Sequence, residues 1–248
     1  MTYCVGLMLN KGLVFMSDTR TNSGVDNIST FRKMFTWAVP GERNITLMTA
    51  GNLATTQSVV SLLEERSKEP AARQPGILEA KSMFQVATLI GNTLKEVIGT
   101  HAETGQKADA AFNATMILGG QIDGGAPRLF LIYPEGNFIE ASFDTPYFQI
   151  GETKYGRPIL VRAYEPDLSF EQAIKLLLVS FDSTIKANLS VSLPLDVHVY
   201  EADSLQPGPQ FRVQADDPYF EEISSGWGIA LREAFGHLPD FRFPDDAG

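Results

Sequence analysis

The sequence predicts an α+β fold: a four-layer αββα sandwich in which two antiparallel sheets pack face to face, with a helix pair over each outer face. Three observations carry that prediction. The expected elements come in groups (four strands, two helices, four strands, two helices, one strand) and not in strict alternation. Short apolar runs are joined by tight turns such as Leu9-Asn10-Lys11-Gly12 and Pro40-Gly41. No linker or compositional break interrupts residues 1–201, which predicts one domain followed by an extension over 202–248.

Taken in order, residues 2–8 and 12–17 read as a hairpin, and residues 33–39 and 44–50 repeat the theme after an excursion at 21–32. Two helices follow. The first covers 53–66; the second covers 81–100, where Met83, Val86, Ala87, Ile90, Leu94 and Val97 make a stripe at helical spacing. Between them, KEPAARQPGILEA reads as a loop. Strands return at 112–119, 128–133, 137–142 and 146–150, then helices at about 152–163 and 169–187, then a strand at 195–201. The proline-rich, acidic extension holds a helical patch at 219–235, weakened by Gly226 and Gly228, whose apolar face packs on the parent domain or on a neighbouring subunit.

Composition narrows the function. The 248 residues are 44% apolar and 20% charged, which is ordinary for a globular chain. A net charge of -10 argues against nucleic acid or an anionic membrane as partner, because both require a basic footprint. The single cysteine, Cys4, lies in an apolar run and reads as a buried thiol. Three scattered histidines form no metal-ligand pattern, and no glycine-rich phosphate loop occurs, so neither a metal nor another cofactor is expected. The apolar run begins almost at the first residue, with no basic segment ahead of it and no stretch long enough to span a bilayer. A soluble, cytoplasmic protein is expected.

With the usual catalytic motifs missing, attention falls on the start of the chain. Thr2 follows the initiator methionine directly. A threonine hydroxyl is a poor nucleophile without an adjacent base, and the residue's own α-amine can be that base when threonine heads the mature chain. Removal of Met1, common before a small side chain, would free an amine whose ordinary pKa of roughly 8 lets it accept a proton near neutrality. Asp18 ends the second strand and Lys33 opens the third. If these strands neighbour the first, a lysine beside the amine lowers its pKa and the aspartate holds the lysine. The same residues also suit a bland reading: Asp18 as a turn acid with Arg20 as surface partner, and Lys33 as an edge lysine.

Four pieces of sequence, Thr2, GLVFMSDTRTNSG (12–24), Lys33 and LMTAGNLATTQ (47–57), together resemble the proteasome superfamily of N-terminal-nucleophile hydrolases. Within it, the first 29 residues look like the bacterial Anbu branch, the ancestral beta subunits, which also carry a C-terminal extension. The resemblance implies that Thr2 is the nucleophile, Lys33 tunes it, Asp18 holds the lysine and the Gly51 N–H helps bind the oxyanion. A glycine at a strand-to-helix turn also suits close approach of a donor to a developing charge. Thr21, Asn22 and Thr49 fall where the family lines its substrate cleft. The implied substrate is a peptide or unfolded protein, and the implied assembly is a homo-oligomeric ring or open spiral, with any unfoldase partner left open.

The sequence also departs from the family pattern. The excursion between Asp18 and Lys33 is one residue shorter than is typical. Where the family usually has a serine, QIGETKYG places Glu152, which either holds the α-ammonium charged or binds the free N-terminus. An Asp-x-x-Ser support motif has no clean counterpart in IKANLSVSLP, where Asn188 stands for the acid and Ser190 or Ser192 for the hydroxyl. Three functions are therefore open: a threonine peptidase, a scaffold subunit with a vestigial site, and a non-proteolytic amidase on the same fold.

Overall fold

A computed structural model describes residues 2–22, 28–68, 76–102 and 112–243. In chain order the strands are β1 (Tyr3–Leu9), β2 (Gly12–Asp18), β3 (Arg20–Asn22), β4 (Ile28–Thr30), β5 (Met34–Val39) and β6 (Arg43–Gly51). Helices α1 (Leu53–Lys68) and α2 (Met83–Ala102) follow, then β7 (Ala114–Ile122), β8 (Arg128–Ile132), β9 (Phe138–Glu140) and β10 (Tyr147–Gly151). Next come α3 (Thr153–Ala163), α4 (Phe170–Ala187), β11 (Leu195–Glu201), β12 (Gln210–Val213) and α5 (Pro218–Gly236).

Asn10 and Lys11 turn β1 back into β2, setting Leu9 opposite Gly12 and Cys4 opposite Ser17. This hairpin is the middle of one antiparallel sheet, ordered β10-β1-β2-β11-β12; the other sheet is ordered β5-β6-β7-β8-β9. The two-residue period then sorts side chains between layers. From β6, Met48 and Ala50 face the first sheet and join Cys4, Leu13, Phe15, Ile117 and Leu129 in the core between the sheets. Ile45 and Leu47 face the other way, into the core with Val59, Leu63, Val86 and Ile90 of α1 and α2. On the opposite outer face α4 packs on β1 and β2, with the Phe181 ring centroid 4.5 Å from that of Tyr3. Each such fully buried aliphatic or aromatic side chain stabilises the fold by about 1.5–3 kcal/mol. The four-layer sandwich is the one the grouped elements predict.

Two local features differ from expectation. The 21–32 excursion contains a short antiparallel ribbon, β3 with β4, pairing Arg20 with Thr30. The region after 201 supplies β12, which extends the first sheet by pairing Leu195 with Val213, so the compact unit runs to Ala215. Residues 216–248 form a second unit built on α5. Asp217 caps that helix by accepting from the Phe220 N–H at 2.9 Å, with Pro218 in its first turn, and the helix continues through Gly226 and Gly228. No helix among the described residues is long and apolar enough to cross a membrane.

Between the sheets, the Phe15 ring occupies space that a glycine leaves: a Cβ on Gly119 would lie 2.5 Å from Phe15 Cζ. A polar clip sits beside it. The His198 Nε2–H donates to the Pro207 carbonyl at 2.6 Å, so Nδ1 accepts from the Thr46 hydroxyl at 2.8 Å, joining β11 to β6. Burial lowers the His198 pKa below its ordinary 6.5.

Gly119→Ala should therefore destabilise the fold by about 1–3 kcal/mol through overpacking. Adding Phe15→Leu should recover part of that loss in urea unfolding; strictly additive losses would refute the contact argument. The clip predicts a pH dependence. Because the folded His198 resists protonation, its contribution is complete above pH 6.5 and is lost as pH falls below that value. Unfolding midpoints measured across this window should fall more steeply for the natural chain than for His198→Gln, and parallel curves would contradict it.

Candidate active site

The start of β1 is fixed from both sides. The Thr2 carbonyl accepts from the Glu152 N–H at 2.7 Å, and the next residue's N–H, that of Tyr3, donates to Asp18 Oδ1 at 2.9 Å. The first contact depends on Gly151, whose φ is +83° and whose Cβ, were there one, would lie 1.8 Å from the Thr2 oxygen. The Tyr3 side chain completes the anchor: its hydroxyl lies 2.8 Å from Ser180 Oγ and accepts from Gln149 Nε2 at 2.6 Å. Burial raises the Tyr3 pKa, so the phenol stays neutral and keeps these bonds. Thr2 itself is buried at the floor of a cleft.

Asp18 ends β2 because the strand carries it beneath the start of β1, and Lys33 reaches it from the residue before β5. Lys33 Nζ donates to Asp18 Oδ1 at 2.8 Å and to the Arg20 carbonyl at 2.5 Å. Both ionic side chains are buried, at 5% and 0% exposure. Burial pushes the Asp18 carboxyl up to about 6, against the pull of Lys33 and the Tyr3 N–H. Asp18 Oδ2 is buried without a hydrogen-bond partner among the described residues, which adds to that upward push.

The cleft has a volume of about 530 Å³ and brings Thr2, Lys33, Thr49, Gly51 and Thr21 into one lining. Gly51 ends β6 with φ at +117°, and a Cβ there would meet the Asn113 oxygen at 2.3 Å. Only glycine lets the chain turn out of the sheet at this wall into α1, whose first turn is capped by Asn52 Oδ1 accepting from the Thr55 N–H at 3.1 Å. Thr49 is tied to the lysine, its N–H donating to the Lys33 carbonyl at 2.9 Å.

The remaining sequence candidates divide. Arg20 contributes its main-chain carbonyl to Lys33, and Asp18 turns inward to Lys33 in place of a surface pairing with Arg20. Glu152 meets Thr2 through its backbone, and its side chain makes no capping bond at the start of α3. Asn188 and Ser190 bond each other, the Ser190 hydroxyl donating to Asn188 Oδ1 at 2.6 Å, and neither lines the cleft. Asn22 pairs with Ile28 along the backbone, and its side chain lies outside what is described, as does Met1. Sequence reasoning missed Arg32, Asn52, Leu53 and Gln57 as cleft residues. No cluster of metal-ligating side chains occurs among the described residues.

Known proteins share this fold. The proteasome subunit family model matches residues 2–193. The proteasome subunit beta of Haloquadratum walsbyi is 26% identical over 206 residues, covering 83% of this chain and 75% of that protein. The solved structure of Anbu, the ancestral beta-subunit, from Yersinia bercovieri superposes with a TM-score of 0.90 at 50% identity, covering 97% of this chain and 100% of that one. A structure of the helical assembly of the Anbu complex from Pseudomonas aeruginosa gives 0.89 at 46% identity, covering 97% and 98%. The chain belongs to the proteasome family and, within it, to the Anbu branch of ancestral beta subunits.

Proposed function

We propose that this chain is a threonine hydrolase that cleaves peptide bonds, with Thr2 as its N-terminal nucleophile once Met1 is removed. The observation that supports this best is the buried Lys33–Asp18 pair, held at 2.8 Å, whose lysine lines the same cleft as Thr2 and Gly51. In this reading the freed α-amine takes the proton of Thr2 Oγ as the oxygen bonds to the scissile carbonyl carbon. The Lys33 charge lowers the amine's pKa and so keeps it available as a base. Negative charge develops on the carbonyl oxygen, where a donor such as the Gly51 N–H is worth about 3–4 kcal/mol. The α-ammonium then returns the proton to the leaving amine as the C–N bond breaks, and water hydrolyses the acyl-Thr2 ester.

The helical assembly of the Pseudomonas relative supports self-association of this chain into a ring or open spiral. The fixed backbone on both sides of Thr2 supports an active site over a vestigial one, because it holds the nucleophile before substrate arrives.

Intact mass should show the loss of Met1, and a threonine-directed electrophile should add once, at Thr2. Thr2→Ala should abolish both the adduct and peptide hydrolysis while leaving the melting temperature nearly unchanged. Retained Met1 together with an unlabelled Thr2 would refute the hydrolase and favour a scaffold. Labelling with turnover of simple amides but not of peptides would favour an amidase.

A further inference from the structure

The net charge of the chain is -10, yet among the described residues the cleft lining holds no aspartate or glutamate and two cations, Lys33 and Arg32. Lys33 is buried and committed to Asp18 and the Arg20 carbonyl. Arg32 is exposed and makes no ion pair to a described carboxylate. It also lines a second cleft, of about 400 Å³, between β5 and the edge formed by β11 and β12. The one acid there, Asp196, is already held by Arg212 through contacts of 2.7 and 3.0 Å. Arg32 therefore lines two clefts, one of them shared with Thr2, and is paired with no carboxylate among the described residues.

A guanidinium carries paired donors that match a carboxylate and holds its charge at any working pH. Backbone donors and threonine hydroxyls around Thr2 bind any peptide alike, so they do not discriminate between side chains. We propose that Arg32 is a specificity residue that selects peptides carrying an aspartate or glutamate side chain next to the bond presented to Thr2. This rests on the peptide-binding reading of the cleft. The remaining lining, Leu53, Ala54 and Gln57 among it, brings no anion to compete for Arg32.

The test separates binding from chemistry by using the full assembled chain with Thr2→Ala. Fluorescein-labelled peptides, identical except for Glu or Gln at one position, are titrated by anisotropy with that position scanned along the peptide. At one position next to the site, the Glu peptide should bind about three- to fivefold more tightly than its Gln twin, the upper scale of a solvent-exposed ion pair. Added salt should reduce that ratio. Arg32→Gln should bring it to one without changing the melting temperature, since the side chain is exposed, and Arg32→Lys should restore only part of it. Equal binding of the twins at every position, a preference that survives Arg32→Gln, or no binding of either peptide would overturn the proposal. Failure of Thr2 to take an electrophile would instead sink the hydrolase reading and leave the Glu-over-Gln ratio standing.

Discussion

Everything about the cleft depends on placing a buried lysine against a buried aspartate beneath the first residue of a strand. Removing two charges from water costs several kcal/mol per ion, and Coulomb attraction offsets this only with good geometry and extra hydrogen bonds. Here Asp18 Oδ1 accepts from both Lys33 Nζ and the Tyr3 N–H, while Lys33 has the Arg20 carbonyl as a further acceptor. The compensation is incomplete, since burial holds the Asp18 carboxyl at about 6, above its ordinary 3.8. With the folded value raised, this group's favourable contribution is fully present only below pH 3.8 and is lost as pH rises through 6. At neutral pH the carboxylate therefore costs stability that an apolar pair would not. A cost carried by the partner of a cleft lysine, beneath the start of β1, is the pattern expected of a site kept for chemistry.

The pair is useful only if Thr2 does not move, and the fold fixes it from independent directions. Gly151 lets β10 close onto the Thr2 carbonyl, Asp18 holds the following N–H, and the Tyr3 hydroxyl is pinned by Ser180 of α4 and Gln149 of β10. Those partners come from four separate elements: β2, β10, α4 and the turn into α3. The position of Thr2 is thus a property of the assembled sandwich; for the hydrolase proposed above, orientation fixed in advance lowers the entropic part of the barrier.

Much of this was legible in the sequence, and the exceptions share a physical cause. Strands β1, β2 and β6 lie in the buried interior, so their apolar residues announce them, as does the helical stripe of α2. Strands β3 and β4 are three residues each and pair only with one another, too short for any period to show. Strand β12 is an edge strand with three of its four residues exposed, preceded by Pro207, Gly208 and Pro209, so QFRV reads as tail. Within the cleft, spacing alone left Asp18 and Lys33 divided between a surface reading and a catalytic one. The family resemblance favoured the second, and the 2.8 Å contact between two buried side chains excludes the first for Asp18. Asn188 and Ser190 form a local partnership, each satisfying the other across two residues, and neither lines the cleft.

Arg32 was missed for a different reason, and that reason bears on how the cleft works. Nothing in a run of Phe-Arg-Lys-Met separates one cation from the other; burial does. Lys33 turns inward at 5% side-chain exposure to meet Asp18, while Arg32 beside it stays exposed in the cleft lining. A single crossing from the β3–β4 ribbon into the second sheet thus delivers two cations in different environments, one buried and one exposed. In the proposed mechanism the buried one would act on Thr2 through a low-dielectric interior, where charge interactions are strong. The exposed one is screened by water and salt, so it is suited to selecting a ligand and not to shifting a buried group's pKa.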